Sequence, residues 1–217
     1  MTFCIEAARR VGRRIGEELG IPVYFYGAAA LRPERRVLAR VREGQYEGLS
    51  AAIETSTERA PDAGPPHLGP AGAVAVGARA PLVAFNMHLR TGDLAVARAI
   101  ARRVRASSGG LPGVQALGFA TEQEGIVQVS MNLIDLETTS VIRAANAVAV
   151  EARTRGVALA PSELVGMLPL REIERAAGLP HGRQQMDVAT MLGDAADALR
   201  LPGLAAKQVL ELAVPWK

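Results

Sequence analysis

The period at which apolar and polar residues alternate changes along the chain, and each change predicts an element. Residues 2–19 carry apolar side chains four residues apart, which predicts an amphipathic helix that packs through one stripe. The stripe consists of Phe3, Ala7, Val11, Ile15 and Leu19. Gly20 and Pro22 end this helix, and residues 23–26 then predict a short buried strand. Short helices are expected in residues 32–53, and an edge strand in residues 73–78.

The rest of the chain has a more regular order of elements. Residues 82–89, 114–120, 126–135 and 158–167 predict strands, and residues 93–105 and 139–155 predict the two helices between them. Thr91 or Asp93 can cap the first of these helices. The order βαββαβ is the ferredoxin-like split βαβ pattern. Further helices are expected at residues 170–177 and 187–199, and an added edge strand at residues 208–214.

These elements predict an α+β chain with two parts. A ferredoxin-like βαββαβ subdomain covers residues 80–217, and a partial α/β subdomain covers residues 1–79. The first part has too few strands to close a sheet by itself, which predicts an exposed sheet edge and half of a truncated domain.

Alternation along the strands divides their side chains between two faces. Val127, Val129, Met131 and Leu133 are expected to pack under the helices, because both helices of a ferredoxin-like sheet cover one face. The open face should then carry polar residues, namely Asn86, His88, Gln128, Ser130 and Asn132. Such a face can form hydrogen bonds to a ligand, or it can be an ordinary exposed sheet face, and the pattern favours neither.

Composition narrows the function classes. The 217 residues are 49% hydrophobic with a net charge of +3 and only 4% aromatic residues, which argues against a nucleic-acid-binding surface. Cys4 is the single cysteine, and no Cys/His cluster has the spacing of a metal site. The chain has neither an apolar run long enough to span a membrane nor a signal peptide, so a cytoplasmic protein is expected.

Residues 61–72 combine glycine and proline in a short loop that leads into an apolar strand. Glycine permits close approach of the backbone, and proline fixes φ. A rigid loop without bulky side chains can lay its N–H groups against a flat or anionic ligand. A plain connector between domains has the same composition, and composition does not separate the two.

Five segments of the chain resemble the formimidoyltransferase (glutamate formiminotransferase) family, in the family's order. They are the loop and strand GPP…AGAVAVGARAPLVAFN, GIPVYFY at residues 20–26, RRVLARVREGQYEG at 35–48, QVSMNLID at 128–135 and SELVGMLPL at 162–170. The resemblance extends from about Thr2 to about Leu212.

The resemblance implies site residues. The loop would form part of a folate site through Gly64, Pro65, Pro66, His67, Leu68, Gly69, Pro70, Ala71 and Gly72. The open sheet face would border a groove that holds the folate, with substrate contacts from Asn86, Gln128, Ser130 and Asn132. Arg79 would clamp a substrate carboxylate or form a structural salt bridge.

Other polar residues have alternatives that the sequence leaves open. His67 and His88 can shuttle a proton or serve as ordinary surface or core residues. Asp62 and Asp135 can orient a substrate amine or cap a loop or helix. His181 is expected to be solvated in a Gly/Pro turn.

The implied activity is transfer of a formimidoyl group from N-formimidoyl-L-glutamate to N5 of tetrahydrofolate, in histidine degradation. Tetrahydrofolate is then a co-substrate, and no metal is expected. Family members begin with about a hundred further residues that carry the proposed catalytic histidine, so no catalytic residue is assigned here and the chain alone is expected to be inactive. The alternative is a non-catalytic folate-binding module, or a subunit whose partner chain supplies the N-terminal half. A homodimer through the exposed sheet edge is a third possibility.

Overall fold

The computed structural model describes residues 1–180 and 187–213. His181, which the sequence predicts to be solvated, and the last residue of the predicted strand 208–214 lie outside the described residues. The chain divides into two compact units, Met1–Ala80 and Pro81–Lys217. Both units mix helices with strands.

The first unit contains a two-stranded parallel sheet. Its elements are α1 (Thr2–Leu19), β1 (Val23–Gly27), a 3-10 turn (Pro33–Arg36), α2 (Leu38–Val41), α3 (Gln45–Ala52) and β2 (Val74–Ala78). Val23 lies opposite Val74 in the pairing of β1 with β2. Val23 and Phe25 are almost fully buried, so β1 is the centre of this unit.

Helix α1 packs through glycines and not through the predicted apolar stripe. Its buried residues are Gly12 and Gly16, whereas Phe3 and Leu19 are 76% and 66% exposed. A Cβ atom at Gly12 would lie 2.3 Å from Cε1 of Phe25, and one at Gly16 would lie 2.6 Å from the backbone nitrogen of Gly64. The stripe prediction is therefore wrong, because close approach selects the smallest residues and not the most apolar ones.

The second unit is built on a four-stranded antiparallel sheet. Its elements are β3 (Val83–Leu89), α4 (Leu94–Val104), a 3-10 turn (Ala106–Ser108), β4 (Val114–Ala120), β5 (Val127–Leu133), α5 (Val141–Thr154) and β6 (Glu163–Val165). The strands lie in the order β4-β5-β3-β6. Helices α6 (Leu170–Ala176), α7 (Val188–Leu199) and α8 (Leu210–Ala213) follow, with a 3-10 turn (Ala206–Gln208) before α8.

The core of this unit follows the predicted pattern. Asp93 caps α4 by accepting a hydrogen bond from the backbone nitrogen of Ala95 at 2.8 Å, as predicted. The buried face of α4 consists of Ala97, Ile100, Ala101 and Val104. It packs into one hydrophobic cluster with the apolar sides of β3 and β5. The opposite side of β3 and β5 carries the polar residues.

A buried carboxylate fixes α6 against the start of α5. Glu172 is 1% exposed, and its Oε2 accepts a hydrogen bond from the backbone nitrogen of Val141 at 2.7 Å. Its other oxygen accepts from Nη1 of Arg175 at 2.6 Å. A carboxylate at a helix N-terminus satisfies an unpaired backbone donor and is stabilised by the helix dipole.

Two strand predictions near the C-terminus need correction. The strand predicted at residues 158–167 is a strand only at Glu163–Val165, while Leu159 forms an isolated bridge with Leu89. The strand predicted at residues 208–214 is wrong for its described residues, because a 3-10 turn and α8 occupy them. Only Val209 makes a strand-like bridge, to Leu168. A short apolar run fits helix and strand equally well by period.

Two glycine substitutions test how α1 packs. Gly16→Ala should lower the free energy of unfolding by about 1–3 kcal/mol, because its Cβ meets backbone that cannot turn aside. Gly48→Ala is the matched control, since it lies within α3 with no atom within 4 Å of an added Cβ. Gly48→Ala should raise the free energy of unfolding by up to about 1 kcal/mol. Urea denaturation of both variants measures this, and equal effects would contradict the packing.

Candidate functional site

The glycine- and proline-rich loop, residues 61–72, is attached to β1 where it begins. The backbone nitrogen of Val23 donates to the carbonyl oxygen of Ala63 at 2.9 Å, and the nitrogen of Asp62 donates to the carbonyl oxygen of Val23 at 2.8 Å. The nitrogen of Phe25 donates to Oδ2 of Asp62 at 2.8 Å. The loop therefore starts as a short extension of the first unit's sheet.

A buried ion pair holds this attachment. Nη1 of Arg35 lies 2.7 Å from Oδ1 of Asp62, and the two side chains are 5% and 2% exposed. Nη2 of Arg35 donates to the carbonyl oxygens of Glu58 at 2.8 Å and Ala60 at 2.7 Å. Of the two roles open for Asp62, the structure supports the one that holds the loop, because both carboxylate oxygens are occupied by protein groups.

Tyr24 completes this cluster from β1. Its ring centroid lies 5.0 Å from the Arg35 guanidinium carbon, a cation–π distance. Its hydroxyl donates to the carbonyl oxygen of Arg59 at 2.6 Å. Burial raises the pKa of the Tyr24 phenol, because the phenolate would lose hydration.

In the middle of the loop, Gly64 allows the backbone to approach α1 closely, and the loop then reaches an exposed tip at Pro70 and Ala71. Gly64 has a φ of +83°, and a Cβ there would lie 2.5 Å from the carbonyl oxygen of Ile21. The nitrogen of Gly72 donates to the carbonyl oxygen of Gly69 at 3.0 Å, which closes a turn with Pro70 and Ala71 at its corners. The exposed tip thus presents small side chains and accessible backbone.

A cavity of about 230 Å³ opens where the loop joins β2. Ala73, Val74 and Ala75 form one wall, and Tyr46 and Leu49 of α3 are among the residues opposite. A Cβ at Gly72 would lie 3.7 Å from the Tyr46 ring, so this ring lies beside the turn. Tyr46 is 57% exposed, which leaves an aromatic face accessible next to the loop. An accessible aromatic face can stack against a flat ring.

The second unit brings the predicted polar residues together on one sheet face. Asn86 pairs with Ser130, and His88 pairs with Gln128, across β3 and β5. Asn132 lies further along the same face of β5 and is exposed. The alternation prediction is confirmed for their placement, with the difference that Asn86 is 8% exposed. The burial of Asn86 is explained by its partner on β6.

Hydrogen bonds organise this polar face. Nδ2 of Asn86 donates to Oε2 of Glu163 at 2.9 Å. Nδ1 of His88 lies 2.8 Å from the carbonyl oxygen of Pro161, and its Nε2 lies 3.2 Å from Oε1 of Gln128. A carbonyl oxygen only accepts, so Nδ1 carries a proton. The Nε2 atom contacts the side-chain amide of Gln128, so both ring nitrogens have protein partners and His88 can position Gln128.

Arg79 and Asp135 have different surroundings. Arg79 is exposed and donates only to the carbonyl oxygen of Ala80, at 3.3 Å, with no carboxylate partner in residues 1–180 and 187–213. Oδ2 of Asp135 accepts from Oγ1 of Thr138 at 2.6 Å. This and nearby backbone hydrogen bonds lower the pKa of Asp135. Asp135 is therefore a turn cap, the second of the roles left open for it.

His67 is exposed at the loop, and within the described residues its ring makes no hydrogen bond. It remains available to a ligand. Sequence reasoning missed Glu163 and Tyr46 as site residues. Glu163 could have been predicted from the sequence, because it precedes the apolar Leu164 in a predicted strand. Side chains alternate along a strand, so the side chain of Glu163 lies on the polar face when that of Leu164 is buried.

The described residues include neither a membrane-spanning helix nor a metal-binding group. None of their helices combines the length and apolarity needed to cross a membrane. No group of three or more His, Cys, Asp or Glu side chains among them could hold a metal ion.

The structure defines a protein of mixed helices and sheets, whose first unit carries a glycine-rich loop beside a cavity and whose second unit carries a polar sheet face. Comparison with known families is more specific. Residues 1–79 match the formiminotransferase domain, N-terminal subdomain, and residues 84–191 match the formiminotransferase domain. The chain belongs to the formiminotransferase family.

Curated relatives agree with this assignment. Glutamate formimidoyltransferase of Thermoplasma acidophilum is 44% identical over 171 residues, which is 78% of this chain and 56% of the relative. The protein of the same name from Streptococcus pyogenes serotype M1 is 42% identical over 171 residues, 78% of this chain and 57% of the relative. Formimidoyltransferase-cyclodeaminase of Gallus gallus is 39% identical over 183 residues, 82% of this chain and 34% of the relative. The chain spans a little over half the length of the first two.

Proposed function

We propose that this chain contributes the folate- and substrate-binding elements of a glutamate formimidoyltransferase. The reaction moves a formimidoyl group from N-formimidoyl-L-glutamate to N5 of tetrahydrofolate, as a step of histidine degradation. The observation that carries the proposal is the match of both units to the formiminotransferase domain. The names of the relatives from Thermoplasma acidophilum and Streptococcus pyogenes support it.

The second unit is proposed to be ferredoxin-like. Its elements follow the order βαββαβ, and its four strands are antiparallel neighbours in the order β4-β5-β3-β6. Two helices on one face leave the other face available for polar side chains. Asn86, Gln128, Ser130 and Asn132 on that face are proposed to form hydrogen bonds to substrate.

The loop is proposed to bind tetrahydrofolate through Gly64–Gly72. Small side chains at the turn of Gly69, Pro70, Ala71 and Gly72 let a flat ring approach the backbone. The Tyr46 ring beside Gly72 adds an aromatic surface on which such a ring can stack. The ion pair of Arg35 with Asp62 orders the loop before the ligand arrives, which reduces the entropy lost on binding.

The donor is proposed to bind through its charges. A formimidoyl group is an amidine and carries a positive charge when protonated, so a carboxylate such as Glu163 complements it. The Asn86 amide holds that carboxylate at 2.9 Å. In the first unit, Arg79 is exposed and is proposed, independently of Glu163, to bind a substrate carboxylate.

The reaction needs positioning and proton transfer. N5 forms a bond to the amidine carbon, and the bond from that carbon to the glutamate nitrogen breaks. The proton lost from N5 is balanced by the proton gained by the departing glutamate amine. Orientation of the two substrates lowers the barrier, and hydrogen-bond donors stabilise the tetrahedral centre. His88 is proposed as a positioning residue for Gln128, and no residue of this chain is proposed as the general base.

A branched side chain at Gly69 tests the folate proposal. An added Cβ at Gly69 meets no atom within 4 Å, and its φ is outside the left-handed region, so the fold should tolerate Gly69→Val. If the folate lies against this backbone, Gly69→Val should weaken binding of 5-formyltetrahydrofolate at least tenfold, equivalent to about 1.4 kcal/mol. Isothermal titration calorimetry on the 217-residue chain measures the affinity.

Gly193→Ala is the control, because it changes an exposed glycine of α7 that has no atom within 4 Å of an added Cβ, and it should leave the affinity unchanged. Urea denaturation should give Gly69→Val the same unfolding midpoint as the unsubstituted chain. Unaltered affinity of Gly69→Val, or no binding by the unsubstituted chain, would contradict a folate site at this loop.

The charge of Glu163 should set the choice of donor. The chain should bind N-formimidoyl-L-glutamate about tenfold more tightly than N-formyl-L-glutamate, a neutral analogue of nearly the same shape, which corresponds to about 1.4 kcal/mol. Glu163→Gln should abolish this preference, whereas Glu124→Gln, an exposed carboxylate in the turn between β4 and β5, should retain it. Calorimetric titration with both ligands measures the ratio, and a preference that survives Glu163→Gln would remove this role.

A further inference from the structure

Three arginine side chains surround two adjoining cavities of the second unit. The first cavity, of about 370 Å³, lies between Arg90, residues 159–161 and the end of α7. The second, of about 620 Å³, lies between α5 and residues 156–159, and Arg153 lines it. Arg200 and Leu159 line both cavities. Basic side chains from three separate parts of the chain therefore converge on one region.

These arginines lack partners, although others in the same unit are paired. Glu151 pairs with Arg103 and Arg155, and Glu172 pairs with Arg175. In contrast, no side-chain hydrogen bond or ion pair to a described residue occupies Arg90, Arg153 or Arg200. Asp197 is the single carboxylate among the residues that line the two cavities. The region thus has a net positive charge with unused donors.

The backbone of Arg200 supplies an independent observation. Arg200 caps the C-terminus of α7 with φ 55° and ψ 39°, in the left-handed region. Gln45 is the other non-glycine residue with positive φ in the part of the chain that the structure describes. Glycine is favoured at such a helix end, so arginine at this position departs from the conformational preference. Strained backbone of this kind occurs often at functional sites.

A backbone hydrogen bond to the segment before β6 also fixes the position of Arg200. Its carbonyl oxygen accepts a hydrogen bond from the backbone nitrogen of Ser162 at 2.7 Å. The nitrogen of Arg90 donates to the carbonyl oxygen of Ala158 at 2.9 Å. Arg90 and Arg200 are therefore both tied to residues 158–162, part of which lines the first cavity.

We propose that Arg90 and Arg200 form an oxyanion-binding site for a small molecule with carboxylate or phosphate groups, and that Arg153 extends it. A guanidinium group binds both kinds of anion through two parallel hydrogen bonds. Within the second unit, none of the polar residues of the sheet face lines these cavities. Pro161, whose carbonyl oxygen contacts His88, lines the first cavity. The proposal therefore goes beyond the formimidoyl transfer and does not rest on it.

Calorimetric titration of the 217-residue chain with inorganic phosphate and with citrate tests the site. Both probes should bind, and the tighter one identifies the ligand as a phosphate ester or a polycarboxylate. Arg90→Ala and Arg200→Asn should each weaken binding at least tenfold, with asparagine chosen because it tolerates the left-handed conformation. Arg102→Ala, which removes an exposed and unpaired arginine of α4, should leave the affinity unchanged.

The proposal is overturned if neither phosphate nor citrate binds to the chain. It is also overturned if Arg90→Ala and Arg200→Asn bind the probes with unaltered affinity. An equal loss of affinity in Arg102→Ala would overturn it too, because the probes would then be attracted only by the general positive charge.

Arg200→Gly separates a binding role from a structural one. Glycine relieves the left-handed backbone, so the unfolding midpoint of Arg200→Gly in urea should equal or exceed that of the unsubstituted chain, while the tenfold loss of anion affinity remains. A lower midpoint would mean that the arginine is kept to stabilise the end of α7, and the proposal would fail.

Discussion

The buried ion pair between Arg35 and Asp62 is the constraint on which the candidate folate loop depends. Removing two charges from water is costly, and the cost is offset only when their remaining hydrogen-bonding groups find partners. Here two carbonyl oxygens accept from Arg35, and the nitrogen of Phe25 donates to Asp62. Loss of one partner from such a pair costs about 3–5 kcal/mol. Because Asp62 begins the loop, the pair ties the loop to the 3-10 turn that carries Arg35, and the hydrogen bond from the Phe25 nitrogen ties it to β1.

The second unit achieves order by different means. Its sheet buries one apolar face under α4 and α5, and Glu172 satisfies the N-terminus of α5 from within the core. The opposite face is left to polar side chains that bond to one another, Asn86 to Glu163 and His88 to Gln128. A rigid apolar side thus supports a polar side whose groups are already oriented. Such preorganisation is what a substrate-binding surface requires.

Local patterns in the sequence predicted the parts of this arrangement that depend on neighbours along the chain. Alternation in β3 and β5 was enough to group Asn86, Gln128 and Asn132 on one face, because strand geometry has a fixed period. Composition identified the glycine- and proline-rich loop. The packing of α1 was predicted incorrectly, since Gly12 and Gly16 contact β1 and the loop. The periodicity of apolar residues gives no information about close packing through small residues. Contacts between distant segments, such as Arg35 with Asp62, have no local signal.

Amide hydrogen exchange on the unsubstituted chain and on Asp62→Ala measures whether the ion pair orders the loop. In the unsubstituted chain, the amides of Val23, Phe25 and Gly72 should be protected, since each donates a hydrogen bond at or beside the loop. Asp62→Ala should remove protection from residues 61–72 and from β1 but not from β3 and β5, and Asp135→Ala should leave the loop unaffected. Equal exchange in the loop with and without Asp62 would contradict the account.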